Sequence, residues 1–293
     1  MPIRCVPRLA VKHVSIEYTV VLRGMTLAAA VLSMGPGAPE QTCQPIRTMT
    51  YNVLVSADLE SEGKFRWSLR RDEIIRQIEA MSPAILGLQE LSRVQKADLR
   101  KALPGYKFEG IPGETSNLAV DTSIFRVRSS GSFWLAPRPF VRAKGWDAAY
   151  TRTANWAHLV RRSDGREVLA INTHLDNRGR QARLESVKQI LGWIASHRKP
   201  GETIVLMGDL NSLPEWPPIR ELSSSNLGLR DARLVTKTLP GGPEGTTRNL
   251  RADYVFVDST AEVERYTVLT PDDPAAPPSD HFPVVVDVSG CGK

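Results

Sequence analysis

With 293 residues, 41% of them hydrophobic and 24% charged, the chain has the composition of a globular protein and the length for one large core or two small ones. The formal charge of +6 is partly a feature of the first 38 residues, where Arg4, Arg8, Lys12 and Arg23 face Glu17; the remainder carries a mild excess of base that does not by itself argue for nucleic acid. Three cysteines without a CxxC or a Cys/His cluster exclude zinc-finger scaffolds, and the absence of GxGxxG, Walker, HExxH and GxSxG patterns leaves dinucleotide and serine-hydrolase chemistry without a motif.

Residues 1–38 read as a leader. Arg23 precedes an apolar run over 25–34, and Gly35, Pro36, Gly37 and Ala38 follow, the pattern of a secretory signal peptide. The run is shorter than the ~20 apolar residues of a membrane span. Pro39 would block cleavage after Ala38 but not after Gly37. The expectation is an exported protein, periplasmic or secreted; the alternative is a disordered cytoplasmic extension. Residues 39–46 are a short linker, 47–289 a single domain, and 290–293 a tail.

The first strand is expected over 47–54, with Asn52 near its end. A helix follows, with Ser68 as N-cap, Asp72 and Glu73 in its first turns and Ile74, Ile75 and Ile78 on one face. A second buried strand over 84–88 ends in Gln89-Glu90. Ser92 caps another helix with Val94, Leu99 and Leu103 inward, closed by Pro104-Gly105. Residues 106–161 read as short strands, with Trp134 and Trp156 assigned to the core. The loop between them carries Arg142, Lys144, Trp146 and Arg152, a basic stretch that could meet an anionic substrate, although each residue singly reads as solvated. Ser163-Asp164-Gly165 is a hairpin turn, and the returning strand ends in Thr173-His174-Leu175-Asp176. The longest helix is expected over 178–197, with Leu184, Val187, Ile190, Leu191 and Ile194 inward. Ile204, Val205, Leu206 and Met207 then form an unbroken apolar run, a strand buried on both faces, which Gly208 ends and Asp209 and Asn211 follow. Residues 213–250 are loop-rich. A strand opening with Asp253 comes next, and the chain closes on Ser279-Asp280-His281-Phe282-Pro283 and an apolar strand over 284–288.

These segments share one property: carboxylates, amides and histidines stand where apolar strands end. Open sheets gather such ends in one cleft. Several acidic groups at close range repel, and oxygen ligands without thiolates select a hard ion, Mg²⁺ or Mn²⁺. A hard ion beside two histidines suits phosphoester chemistry. The motifs Met49-Thr50-Tyr51-Asn52, Leu88-Gln89-Glu90, Asn172-Thr173-His174-Leu175, Gly208-Asp209-Leu210-Asn211, Ala252-Asp253-Tyr254 and Ser279-Asp280-His281-Phe282-Pro283 resemble, in order, those of the endonuclease/exonuclease/phosphatase superfamily, the deoxyribonuclease-I-like fold. Phe133-Trp134-Leu135, the stretch 144–149 and Gln181-Ala182-Arg183 look like its exported bacterial branch.

The resemblance implies an α+β fold, a four-layered α/β/β/α sandwich of two mixed sheets flanked by helices. It implies Glu90 as principal Mg²⁺ ligand with Asn52 and Asp280, and Asp209 orienting or deprotonating the attacking water. Asn211 and His174 would bind phosphoryl oxygens. His281 would act as a cation on the scissile phosphate, in contact with Asp253. Arg142, Lys144 and Arg152 would touch substrate. The implied function is phosphodiester hydrolysis by a monomer without a stable membrane span, nuclease-like first; phosphomonoesters, phospholipids and an inactive binding module are the alternatives. Two positions depart from the family pattern: Asn177 occupies a place where relatives often carry a second histidine, and the strand over 117–120 lacks the tyrosine of abasic-site nucleases. The same sandwich would make the first and last strands antiparallel neighbours and so bring Cys43 and Cys291 together as a disulfide, with Cys5 lost with the leader.

Overall fold

A computed structural model describes residues 44–56, 65–247 and 250–289. The leader, Cys5, Cys43, Cys291 and the tail lie outside the described residues. Strands and helices alternate as β1 (Ile46–Asn52), α1 (Trp67–Met81), β2 (Ile85–Gln89), α2 (Arg93–Ala102), β3 (Tyr106–Glu109), β4 (Asn117–Asp121), β5 (Phe125–Trp134), β6 (Thr153–Arg161), β7 (Glu167–His174), α3 (Arg180–His197), β8 (Thr203–Asp209), α4 (Pro217–Ser223), β9 (Arg230–Asp231), α5 (Ala232–Val235), β10 (Asp253–Val257), β11 (Glu262–Val268) and β12 (Val284–Ser289). They form two mixed six-stranded sheets, ordered β11-β12-β1-β2-β4-β3 and β5-β6-β7-β8-β10-β9.

The strand side chains explain the layers. Along β8, Val205 and Met207 join a core shared by both sheets, whereas Ile204 and Leu206 pack with Val187, Ile190 and Ile194 of α3. Along β2, Ile85 faces the shared core while Leu86 and Leu88 pack with Ile74, Ile78 and Leu99 of α1 and α2. Alternation with both faces covered is why these strands read as unbroken apolar runs. The result is the α/β/β/α sandwich. No helix among the described residues is long and apolar enough to cross a membrane.

Three local expectations need correction. The first helix begins at Trp67 after Arg66, and Ser68 makes no cap. Val94 is exposed rather than inward, although Ser92 and Gln95 do form a reciprocal capping box. Trp134 is only half-buried, because its indole Nε1 reaches out to Glu114 at 3.4 Å.

Pairing register places the polar strand ends. β1 and β2 run parallel with Asn52 beside Gln89, and β7 and β8 run parallel with His174 beside Asp209. β10 runs antiparallel to β8 and sets Asp253 beside Asp209. The last strand also pairs antiparallel with the first, Ile46 opposite Val288. Gly208 makes the β7–β8 approach feasible: its φ is +145°, and a Cβ there would lie 2.0 Å from the Thr173 carbonyl oxygen.

Candidate active site

Six strand ends converge on one cleft. Asp209, at the end of β8, is its buried centre. The Asn52 amide donates to Asp209 Oδ2 at 3.0 Å and to Glu90 Oε1 at 3.3 Å, so Asn52 bridges the two carboxylates. Glu90 also accepts from the Val55 amide at 2.9 Å. Both Glu90 and Asn211 turn off their strands at positive φ, 57° and 45°, a backbone conformation uncommon for non-glycine residues.

On one flank, His281 Nδ1 lies 2.8 Å from Asp253 Oδ2, which also accepts from Thr246 Oγ1 at 2.7 Å. His281 Nε2 lies 3.8 Å from Asp209 Oδ2. Burial pulls the His281 pKa down, but the charge and hydrogen bond of Asp253, with Asp209 and Asp280 behind, outweigh it and raise it to about 10. The ring is therefore an imidazolium at neutral pH. Asp209 is pushed the other way for a carboxylate: burial and the nearby Asp253 raise it to about 7, against the pull of His281, the Asn211 amide and Asn52.

On the other flank, Asn211 Nδ2 lies 3.0 Å from His174 Nε2 and donates to the Leu175 carbonyl. His174 Nδ1 faces Arg152 Nη1 at 3.0 Å. Arginine only donates, so Nδ1 carries a lone pair. Burial first, then the charges of Arg152 and His281, hold the His174 pKa well below its usual value; with Nδ1 accepting from Arg152, the neutral ring carries its proton on Nε2, 3.3 Å from Asp209 Oδ2, and the Asn211 Nδ2 contact, a donor facing a donor, is no hydrogen bond. The two histidines thus differ in charge because burial, reinforced by the Arg152 guanidinium, prevails at His174, whereas the Asp253 carboxylate outweighs burial at His281.

Asp280 sits beyond Asn52. Its Oδ1 is buried without a hydrogen-bond partner among the described residues. The turn before it is tied down by Ser279 Oγ, which donates to the Asn52 carbonyl at 2.7 Å, and by Arg70, whose guanidinium donates to the carbonyls of Val53, Leu54 and Pro278. The carboxylates of Asp280 and Glu90 are hard oxygen donors of the kind divalent ions prefer, whereas Asn52, expected as a ligand, turns its amide nitrogen to Glu90 and Asp209 and its oxygen to the Leu54 amide. Asp209, Asp253 and His281 form a second acidic group, with ligand atoms within 4.8 Å of one another, that could also hold an ion.

Arg142, Lys144 and Arg152 all line a pocket of about 590 Å³ that opens beside Glu90, together with Glu114, Tyr150 and Asn177. Arg152 turns partly away from it: Nε approaches Asp176 Oδ2 at 3.6 Å, and the guanidinium lies over the Tyr150 ring. Sequence reasoning missed Asp176, which accepts backbone amides of Tyr150, Arg178 and Gly179 and so fixes the loop that carries Arg152. It also missed Glu114, which stands in a polar loop with no signal around it. Gln89, grouped with the site in the sequence, is fully buried and bonds Thr50 and Asn172 instead.

The sequence matches the Endonuclease/Exonuclease/phosphatase family over residues 49–281. An endonuclease/exonuclease/phosphatase family protein from Bacteroides thetaiotaomicron has a similar structure, with 28% identity and a TM-score of 0.78, over 85% of this chain and 99% of that one. The mannosyl-6-phosphatase of Bacteroides thetaiotaomicron VPI-5482 is similar at 29% identity and a TM-score of 0.76, over 83% of this chain and 99% of that one. Protein angel of Drosophila melanogaster is 24% identical over 248 residues, 76% of this chain and 69% of that protein.

Proposed function

The chain belongs to the Endonuclease/Exonuclease/phosphatase family, and from that premise we propose that it is a Mg²⁺-dependent hydrolase of a small phosphoester, a phosphomonoester first. The observation that carries the reading is the row formed by Asp209, His281 and Asp253 beside Asn211 and His174. In that row Asp209 accepts the proton of the attacking water; a carboxyl raised to about 7 is matched to such work near neutral pH. His281, kept charged by Asp253, donates to the phosphoryl group as negative charge gathers there. The Asn211 amide and the His174 Nε2–H orient the phosphoryl oxygens. Glu90 and Asp280 would hold the ion, with Mn²⁺ as a substitute; when bound it would withdraw charge from the phosphoryl oxygens and offset that of the carboxylates.

A pocket of about 590 Å³ fits a small molecule, for which pockets of roughly 300–1,000 Å³ are usual. The likeness to a mannosyl-6-phosphatase supports the monoester. A second reading, phosphodiester hydrolysis on nucleic acid, is supported by the three cations at the pocket, yet Arg142 is paired with Glu114 and Arg152 with Asp176, which leaves a weak track for a polyanion. The full chain should be assayed with Mg²⁺ and with chelator on sugar phosphates, aryl mono- and diesters, DNA, RNA, inositol phosphates and sphingomyelin. Chelator-resistant or absent turnover on every ester refutes the reading; turnover confined to DNA or RNA selects the second. Export belongs to the same proposal, rests on residues 1–38 alone, and is checked by cell fractionation.

A further inference from the structure

We propose that the substrate carries a second anionic group, and that Arg142 and Lys144 receive it in the pocket beside Glu90. The inference rests on the phosphoester reading above and narrows its substrate class. Donors and acceptors around the pocket do not balance. Glu114 is nearly buried, 7% exposed at the side chain. Its Oε1 accepts from Arg142 Nε at 2.8 Å and from Trp134 Nε1 at 3.4 Å, and its Oε2 accepts from Thr151 Oγ1 at 3.0 Å. The carboxylate is therefore occupied by protein donors and offers little to a ligand.

Its grip on Arg142 is through Nε only. The Arg142 side chain is 66% exposed, and its terminal Nη groups make no hydrogen bond among the described residues. An exposed arginine normally samples many rotamers. This one is held by a buried carboxylate in an orientation that leaves the forked end of the guanidinium open, which lowers the entropy lost when an anion arrives. Lys144, two residues further along the same loop, lines the same pocket, and no hydrogen bond or ion pair engages it among the described residues. On the facing wall Arg152 is already committed to His174 and Asp176. Glu90, the pocket's other carboxylate, faces Asn52 and the Val55 amide.

The charged capacity left over is thus all donor: the Arg142 fork and the Lys144 ammonium. A neutral hydroxylated leaving group would leave both cations unanswered. A phosphate or a carboxylate answers them with charge-assisted bonds, bidentate at the arginine. Both anions suit these donors, so the test uses both.

Rates with Mg²⁺ are to be compared within two pairs of probes: fructose 6-phosphate against fructose 1,6-bisphosphate, and glycerol 3-phosphate against 3-phosphoglycerate. The member with the extra anion should show kcat/KM higher by about tenfold or more, chiefly through KM, as expected of a charge-assisted pair. The pair with the larger gap identifies the anion. Lys144→Met is a surface change that leaves folding intact, and it should shrink the gap; Arg142→Met should shrink it further. Equal rates within both pairs, or a gap indifferent to Lys144→Met and Arg142→Met, overturn this proposal while leaving the hydrolase reading in place. No hydrolysis of any phosphoester removes the hydrolase reading, and this proposal with it.

Discussion

Beneath the cleft one buried side chain hydrogen-bonds from one sheet to several groups of the other, and removing it should cost the fold a measurable share of its stability. Asn172, on β7, is completely buried. Its Nδ2 donates across the sandwich to the carbonyls of Leu88 and Asn117, at 3.1 and 2.7 Å, and to Ser116 Oγ at 3.1 Å. Its Oδ1 accepts from Gln89 Nε2 at 2.6 Å. In Asn172→Ala, Gln89 keeps Thr50 and Ser116 keeps Asn155, so those two groups remain partnered. The Asn117 and Leu88 carbonyls lose their bonds from the opposite sheet. With each buried group left short costing ~1–3 kcal/mol, and the lower end fitting a carbonyl that retains a ladder bond, the total should be about 2–4 kcal/mol. In a domain of this size that is a fall in Tm of roughly 5–15 °C. Urea unfolding with an unchanged m-value is the assay. Gly87 supplies an internal control, because a Cβ there would lie 2.5 Å from Asn172 Oδ1. Gly87→Ala should therefore be damaging in the native background and much milder beside Asn172→Ala, a coupling of about 1 kcal/mol or more. A loss under about 1 kcal/mol in Asn172→Ala, or additive effects in the pair, would refute the view that this amide clamps the sheets.

Three further outcomes are expected. Glu90→Gln keeps the shape of the side chain and removes its charge, so Mg²⁺ affinity by calorimetry and turnover should both collapse; near-native activity at low Mg²⁺ would disprove the ligand assignment. His281→Asn should slow hydrolysis by roughly 2–3 orders of magnitude with an intact circular dichroism spectrum. Because folding raises the His281 pKa from 6.5 to about 10, the folded state holds a proton that the unfolded chain gives up. Its stabilising contribution is full below about 6.5 and is lost as pH rises to about 10, so cation-free protein should weaken over that window and the variant should weaken less. Cys43 and Cys291, which lie outside the described residues, are each three positions along the sequence from the paired Ile46 and Val288. Carrying that register outward predicts that they face each other, and free thiols at both positions in exported, non-reduced protein, read by mass spectrometry, would rule the disulfide out.

What the sequence showed and hid follows from range. Buried strands such as β8 were legible because both of their faces are apolar, and a run as short as Ile204, Val205, Leu206 and Met207, stopped by a glycine, is too brief for a buried helix. Asp209, Asn211, His281 and Glu90 were legible because a charged or amide side chain at the end of such a run has no packing purpose. The start of α1 was misread because Ser68 is a good capping residue placed two positions too late, and tertiary packing of Trp67 set the boundary. Gln89 looked the same as Glu90 in sequence. Period-two alternation sends neighbours to opposite sides, and only the partner 83 residues away, Asn172, reveals that Gln89 points between the sheets. Glu114 and Asp176 were invisible for the same reason: each is defined by what it holds, and those partners come from other loops.

The cleft contains two acidic groups, and proximity alone would give the ion to either. Charge separates them. Asp209 and Asp253 already share a cation, the His281 imidazolium, with Asp253 in direct contact. For a metal ion to enter that group His281 must first release its proton. With a pKa of about 10 that costs ~4 kcal/mol at pH 7, before any repulsion between the ion and the rest of the site. Glu90 and Asp280 make no ion pair among the described residues, although the charges of Arg70 and His281 are felt there through space. The Glu90 partners are an amide side chain and a backbone N–H, and Arg70 spends its donors on the carbonyls of Val53, Leu54 and Pro278. The Asp280 Oδ1 atom is left buried and unanswered. On the proposed reading an ion would therefore gain most on the Glu90 side, with the His281 imidazolium as the protein's own cation on the other. A phosphoryl group lying between them would meet positive charge from both directions, with Asp209 at the midpoint able to take a proton from water. Asn52, bridging Glu90 and Asp209, would on that reading hold the two carboxylates at a fixed spacing, one for the ion and one for the nucleophile.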